Sequence, residues 1–148
     1  MSEHRATVEW QRSGEFRYET YTRNHTIRFD GGITLTGTAA PENIPKTSGT
    51  GPGVDPEQAF VASLSACHML WFLALAAQRK WAVESYVDEA VGVLDKTWMS
   101  RVTLRPMVVF SGRKPTEEEH AALHHRAHER CFIANSVKTE VIVEPCLK

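Results

Sequence analysis

Asp55-Pro56-Glu57-Gln58-Ala59-Phe60-Val61-Ala62-Ser63-Leu64-Ser65-Ala66-Cys67-His68-Met69-Leu70-Trp71-Phe72-Leu73-Ala74-Leu75-Ala76-Ala77 decides the fold of this chain. It begins as a helix begins. Asp55 can accept from the first free N–H groups, Pro56 fits the first turn, Glu57 faces the positive end of the dipole and Gln58 can close a capping box. The stretch is apolar on nearly every side, which predicts a helix to about Arg79 that is buried all round. Ala59 to Ala77 is long enough to span a bilayer, but Ser63, Ser65 and His68 interrupt it and Gln78-Arg79-Lys80 closes it. A buried central helix is the expectation, and no membrane partner is expected. A chain of 148 residues can hardly cover such a helix alone. A homodimer wrapping two of them would.

The flanking segments alternate. Ala6, Val8 and Trp10 share one face of residues 5–12, and Phe16, Tyr18 and Thr20 share one face of residues 16–22, with Ser13-Gly14 as the turn between them. Thr26 to Phe29 ends at Asp30-Gly31-Gly32, and Ile33 to Thr38 follows, so the opening third reads as an antiparallel meander. Ala40 to Val54 has no period and reads as a loop. Residues 82–95 and 99–111 read as two long strands, with Pro106 marking a phase shift or bulge. Thr116 with Glu119 is a capping box for a second helix through about Arg130. Val137, Thr139, Val141 and Val143 alternate as a last strand. The order predicts one α+β domain over residues 1–148.

Composition narrows the function. A net charge of −1 offers no basic excess for nucleic acid. Met1 to Arg5 leads into strand alternation rather than the apolar core of an export signal. Three cysteines without such a signal point to a reducing cytoplasm, where thiols are more often catalytic than structural.

Cys67 and Cys131 are the candidate redox pair, one in the apolar helix and one at the end of a histidine-rich segment. Cys67 lies about three turns into its helix, too deep for the dipole to hold a thiolate, so any activating cation must come from elsewhere in the fold. Glu57 lies ten residues before it, about 15 Å along a straight helix, and can act on it only through a bridging cation or from a partner subunit. Arg23, Asn24, His25 and Arg28 cluster near the end of an early strand and could supply a guanidinium. His124, His128 and Cys131 share a helical face with metal-ligand spacing, but the Glu after the first His of a metalloprotease helix is missing. A polar, partly solvated face is the preferred reading there, and no metal is expected. Cys146, two residues from the C-terminus, is assigned no chemistry.

Asp55-Pro56-Glu57-Gln58-Ala59-Phe60 leading to Ser65-Ala66-Cys67, and Cys131-Phe132-Ile133-Ala134-Asn135-Ser136 leading to the Val137–Val143 strand, resemble the OsmC/Ohr family of osmotically inducible and organic hydroperoxide resistance proteins. The resemblance covers essentially the whole chain. It implies an intertwined α+β homodimer with two curved antiparallel sheets around long buried central helices. It implies a peroxidatic Cys67, a resolving Cys131, and a Glu57 that pairs with the arginine serving the thiol, sometimes across the dimer. Arg23, by its spacing from the Asp30-Gly31-Gly32 turn, is preferred for that arginine over Arg28. The implied activity is a cofactor-free, thiol-dependent reduction of organic hydroperoxides, completed by a dithiol reductant such as a lipoylated protein. Phe60, Met69, Trp71, Phe72 and Phe132 are the expected apolar wall for bulky substrates. His68 and Phe132 depart from the family's usual residues after the two cysteines. Two other readings remain: a non-catalytic ligand-binding or stress-protective dimer, and a metal-binding module on His124, His128 and Cys131.

Overall fold

A computed structural model describes residues 1–147. The chain divides into two compact units, Met1–Ala59 and Phe60–Lys148.

In the first unit, β1 (Ala6–Glu9), β2 (His25–Phe29) and β3 (Thr34–Gly37) form an antiparallel sheet in that order. Val8 pairs with Ile27, and Ile27 with Leu35. Residues 16–22 are not the strand that their alternation predicts. The N–H groups of Thr20 and Tyr21 both fold back onto the Arg17 carbonyl, and the Trp10 indole donates to the Thr22 carbonyl at 2.8 Å. The apolar side chains of this loop therefore gather on one another instead of on a sheet: Phe16 lies 5.7 Å from Trp10 and 4.9 Å from Tyr21, ring centre to ring centre. The 40–54 segment is a loop apart from a 3-10 turn at Pro41–Asn43 and a parallel bridge from Val54 to Gly37. The capping box at its end forms as expected, with Gln58 N–H donating to Asp55 at 2.7 Å and Asp55 N–H to the Gln58 side chain at 3.1 Å.

Helix α1 spans Pro56–Gln78. It stops because Lys80 turns left-handed (φ 58°), the Trp81 N–H bonds the Ala76 carbonyl at 3.0 Å and the Lys80 N–H bonds Ala77 at 3.0 Å. This is a Schellman stop, with Trp81 and Ala76 in one apolar cluster. Buried all round, as its composition predicts, α1 is not within this one chain. Leu64, His68, Phe72, Leu75 and Ala76 form a buried stripe, while Ala62, Ala66, Leu70, Ala74 and Ala77 form an exposed one, Leu70 at 62%. Both stripes recur every three or four residues, so they lie on opposite sides of the helix.

The rest of the second unit is β4 (Ala82–Asp88), β5 (Val91–Asp95), β6 (Trp98–Leu104), β7 (Pro106–Ser111), α2 (Glu117–Arg130), β8 (Glu140–Val143) and β9 (Cys146–Leu147). They build two three-stranded sheets, β4-β7-β9 and β5-β6-β8. The two long strands expected over 82–95 and 99–111 are each broken where the chain passes from one sheet to the other. Asp88 explains the break: its carboxylate takes the Arg105 N–H at 2.6 Å and also accepts from Ser65. Pro106 then starts β7, the strand position that tolerates a missing N–H. The expected α+β class with antiparallel sheets forms; among the described residues of one chain the strands make three sheets, in which β8 and β9 join β6 and β7 in parallel. Cys146 sits in β9 opposite Met107 rather than in a frayed tail.

The buried stripe of α1 meets two apolar clusters. Leu64 packs with Val102 and Leu104 of β6, and Phe72, Leu75 and Ala76 pack with Val108, Phe110 and Leu123. Between them, His68 of α1 hydrogen-bonds His124 of α2, Nε2 to Nδ1 at 3.0 Å, one ring donating and the other accepting. The Thr116–Glu119 capping box that starts α2 is present. The polar, partly solvated face expected for its histidines is not what forms. His124 is 2% exposed and His120 3%, their rings edge to face at 4.6 Å and packed against Phe72, while His125 turns outward to Glu129.

Burial, reinforced by repulsion from His128, lowers the His68 pKa to about 4, and burial with repulsion from His120 and His68 lowers that of His124 to about 3. Both rings are therefore neutral in the fold and protonate freely once unfolded. The stability they carry is fully present above about pH 6.5 and is lost as the pH falls toward 4, by about 1.4 kcal/mol per pH unit for each ring. Urea unfolding at fixed protein concentration should show this steep loss between pH 6.5 and 4.5. A stability that stays level across that window would mean the rings are charged or solvated in the fold.

Candidate functional site

Cys67 and Cys131 come together in the second unit. Cys67 is half-buried on the flank of α1, and Cys131, 1% exposed, caps the C-terminus of α2. The two thiols lie close enough for Cys67 to act on the titration of Cys131, and no disulfide joins them. Burial pushes the Cys131 thiol up to about 11, and the contact with Cys67 pushes in the same direction. Cys131 therefore keeps its proton. The Ala134 N–H, in the turn after α2, donates to Cys131 Sγ at 3.4 Å and fixes its position. The arrangement puts one protonated, buried thiol beside one more accessible sulfur.

Of the expected apolar wall, Trp71 and Phe132 meet edge to face at 5.4 Å, with the Arg130 guanidinium 5.4 Å above Trp71. Phe132 is 68% exposed beside Cys131. Phe60 is instead packed beside Leu64 and Val102, Phe72 is fully buried among the histidines, and Met69 is half-buried.

Arg23 and Glu57 both line a pocket of about 520 Å³ in the first unit, but the pairing that the resemblance implies does not form: no ion pair joins them among the described residues, and Arg23 bonds backbone carbonyls instead. Arg23 is held by two carbonyls, Nη1 donating to Tyr21 at 2.7 Å and Nη2 to Tyr18 at 2.8 Å, with its guanidinium 3.6 Å over the Tyr21 ring. Its backbone N–H donates to Thr50, and Asn24 bonds Gly51 and Gly37, tying the 48–52 loop to the sheet. His25 lies over Gly37, where a Cβ would sit 2.1 Å from the ring, so only glycine fits. Arg28 points elsewhere: it pairs with Glu9 at 3.6 Å on an exposed face.

Three residues of this pocket, Trp10, Phe16 and Tyr21, are not among the expected site residues, because all three fall in the segments 5–12 and 16–22 read as strands. The aromatic clustering near Arg23 was the available signal. Among the described residues no group of three His, Cys, Asp or Glu side chains is arranged to hold a metal ion.

A family model described as OsmC-like protein matches residues 49–145 of the 148. No curated protein sequence matches the chain significantly. Among solved structures, an OsmC-like protein of unknown function from Vibrio cholerae is 48% identical, with a TM-score of 0.91 over 99% of this chain and 100% of that one. An organic hydroperoxide resistance protein from Legionella pneumophila (21% identity, TM-score 0.66, covering 99% of this chain and 97% of its own) shares the fold. So does one from Bacillus subtilis (21%, TM-score 0.64, 99% and 98%). The extent of the family match and the identity to the Vibrio protein together place this chain in the OsmC-like family.

Proposed function

We propose that this protein is a thiol-dependent peroxidase that reduces organic hydroperoxides. The observation that carries the reading is the neighbouring, unlinked pair of thiols, Cys67 half-buried and Cys131 buried. The Cys67 thiolate attacks the distal peroxide oxygen, the O–O bond breaks, and the leaving alkoxide takes a proton to become alcohol. Cys67 is left as a sulfenic acid. Cys131 attacks that sulfur, an S–S bond forms, and hydroxide leaves with the Cys131 proton as water. A dithiol, such as a lipoylated protein, returns two electrons and two protons. Arg23, aided by Glu57, is the cation that serves the Cys67 thiolate. Trp71 and Phe132 favour bulky apolar substrates, since apolar contact adds binding that hydrogen peroxide cannot collect. The full chain acts as one OsmC-like domain in the cytoplasm.

The protein works as a homodimer in this reading. The exposed stripe Ala62, Ala66, Leu70, Ala74 and Ala77 supports it, because small side chains let a second α1 approach closely and an uncovered apolar helix face favours association. The pocket lined by Trp10, Phe16 and Tyr21 favours a second reading, a ligand-binding dimer without turnover. Titrating reduced protein with cumene hydroperoxide separates the two. The peroxidase loses two thiols per chain rapidly and yields a Cys67–Cys131 link by peptide mapping, and the binding protein loses them slowly with no preferred link.

Cys67→Ser should abolish turnover, whereas Cys131→Ser should consume one equivalent of peroxide and leave a sulfenic acid that dimedone traps. Full turnover by Cys67→Ser would sink the assignment. Arg23→Gln should slow the first oxidation roughly 100-fold, the scale of losing one group that stabilises charge at a reacting centre. Arg28→Gln, which loses only an exposed pair with Glu9, should stay within about twofold. Stopped-flow thiol oxidation reads both, and equal effects would remove Arg23 from the mechanism.

A further inference from the structure

The geometry points to His68 as a positioning residue that sets the register between the two cysteine-bearing helices and so holds Cys67 against Cys131. This rests on the thiol pair of the proposed reaction. His68 immediately follows Cys67 on α1, and its partner His124 lies on α2, whose C-terminal cap is Cys131. The His68–His124 bond is the one hydrogen bond between α1 and α2 side chains among the described residues; around it lie the apolar Phe72, Leu75, Leu123 and Ala127 and the imidazoles of His120 and His128.

An apolar helix interface alone tolerates sliding, because one apolar contact replaces another. A buried hydrogen bond does not, since shifting it strands two polar rings. Slippage of α1 by one turn would carry Cys67 about 5.4 Å from its place beside Cys131, beyond bonding reach. The pair is also costly as mere filling. His68 Nδ1 and His124 Nε2 are buried with no hydrogen-bond partner among the described residues, as are His120 Nε2 and His128 Nδ1. Leucine or phenylalanine would fill the same space without stranded nitrogens. Burying imidazoles there loses stability and selects one arrangement, the best-attested use of a buried polar contact. The rings are parallel, with an interplanar angle of 0° and centroids 5.3 Å apart, an arrangement compatible with an in-plane N–H···N bond.

The test is the equilibrium between the dithiol and oxidised glutathione, in which the protein disulfide forms and two reduced glutathiones are released. It needs no peroxide. His68→Leu should lower the equilibrium constant for closing Cys67–Cys131 about tenfold, the worth of one buried hydrogen bond. His68→Gln, whose amide can still bond His124, should restore it to within about threefold. Thermal melting of each variant runs alongside, and His124→Leu with His124→Gln provides the reciprocal pair if a His68 variant does not fold. A leucine variant that closes as readily as the parent would overturn the assignment. So would a glutamine variant no better than leucine, since the effect would then be packing. Closure with glutathione in a protein that ignores cumene hydroperoxide would leave the register role standing and remove the peroxidase.

Discussion

Everything in the second unit is arranged around a single constraint, a 23-residue helix with no polar face. Water cannot be offered to any side of α1 without exposing apolar surface. Sheet strands cover its buried stripe at both ends, β6 near Leu64 and β7 near Phe72, and α2 lies along the middle. The β4–β5 and β6–β7 connections must jump between sheets for this to happen. Asp88 makes the jump tolerable by taking the Arg105 N–H that leaves the ladder. Leu70 and its alanine neighbours are what one chain cannot reach.

Local signals were the legible part. The Asp55–Gln58 and Thr116–Glu119 capping boxes could be read because each is a contact between residues three apart, and the structure forms both. The β2 and β3 strands and the turn between them were legible for the same reason. Residues 16–22 misled because their alternation is real but is spent on Trp10 and Tyr21 rather than on a sheet. The break at Asp88 was invisible, since its cause is an N–H seventeen residues away. The histidines of α2 were read as solvated because nothing on that helix announces His68, which meets them from 56 residues earlier. For the site, Cys67 and Cys131 could be nominated by their surroundings, whereas Trp10, Phe16 and Tyr21 are joined only by a loop without a period.

The two thiols differ by environment rather than by chemistry. Cys131 is almost fully buried, and an apolar surrounding penalises its thiolate more than it penalises the thiol. A protonated thiol is a poor nucleophile. Cys67, on the half-exposed flank of α1, is the sulfur a substrate can approach. Burial thus distinguishes two otherwise equivalent groups, and Ala134 N–H bonds the buried one at 3.4 Å.

Arg23 is subject to the opposite treatment. A carboxylate partner would fix its position but cancel much of its charge, as Glu9 does for Arg28. Two carbonyl oxygens, those of Tyr18 and Tyr21, fix it equally well through two donors and leave the full positive charge in place. The Tyr21 ring beneath it excludes water from one face of the guanidinium and adds attraction through its π-cloud. Glu57 lines the same pocket, yet no ion pair joins the two among the described residues. The field of such a guanidinium is available to an anion in a way that a salt-bridged arginine's is not. Of the two arginines, Arg23, preferred by spacing, is held by carbonyls, whereas Arg28 is held by a carboxylate.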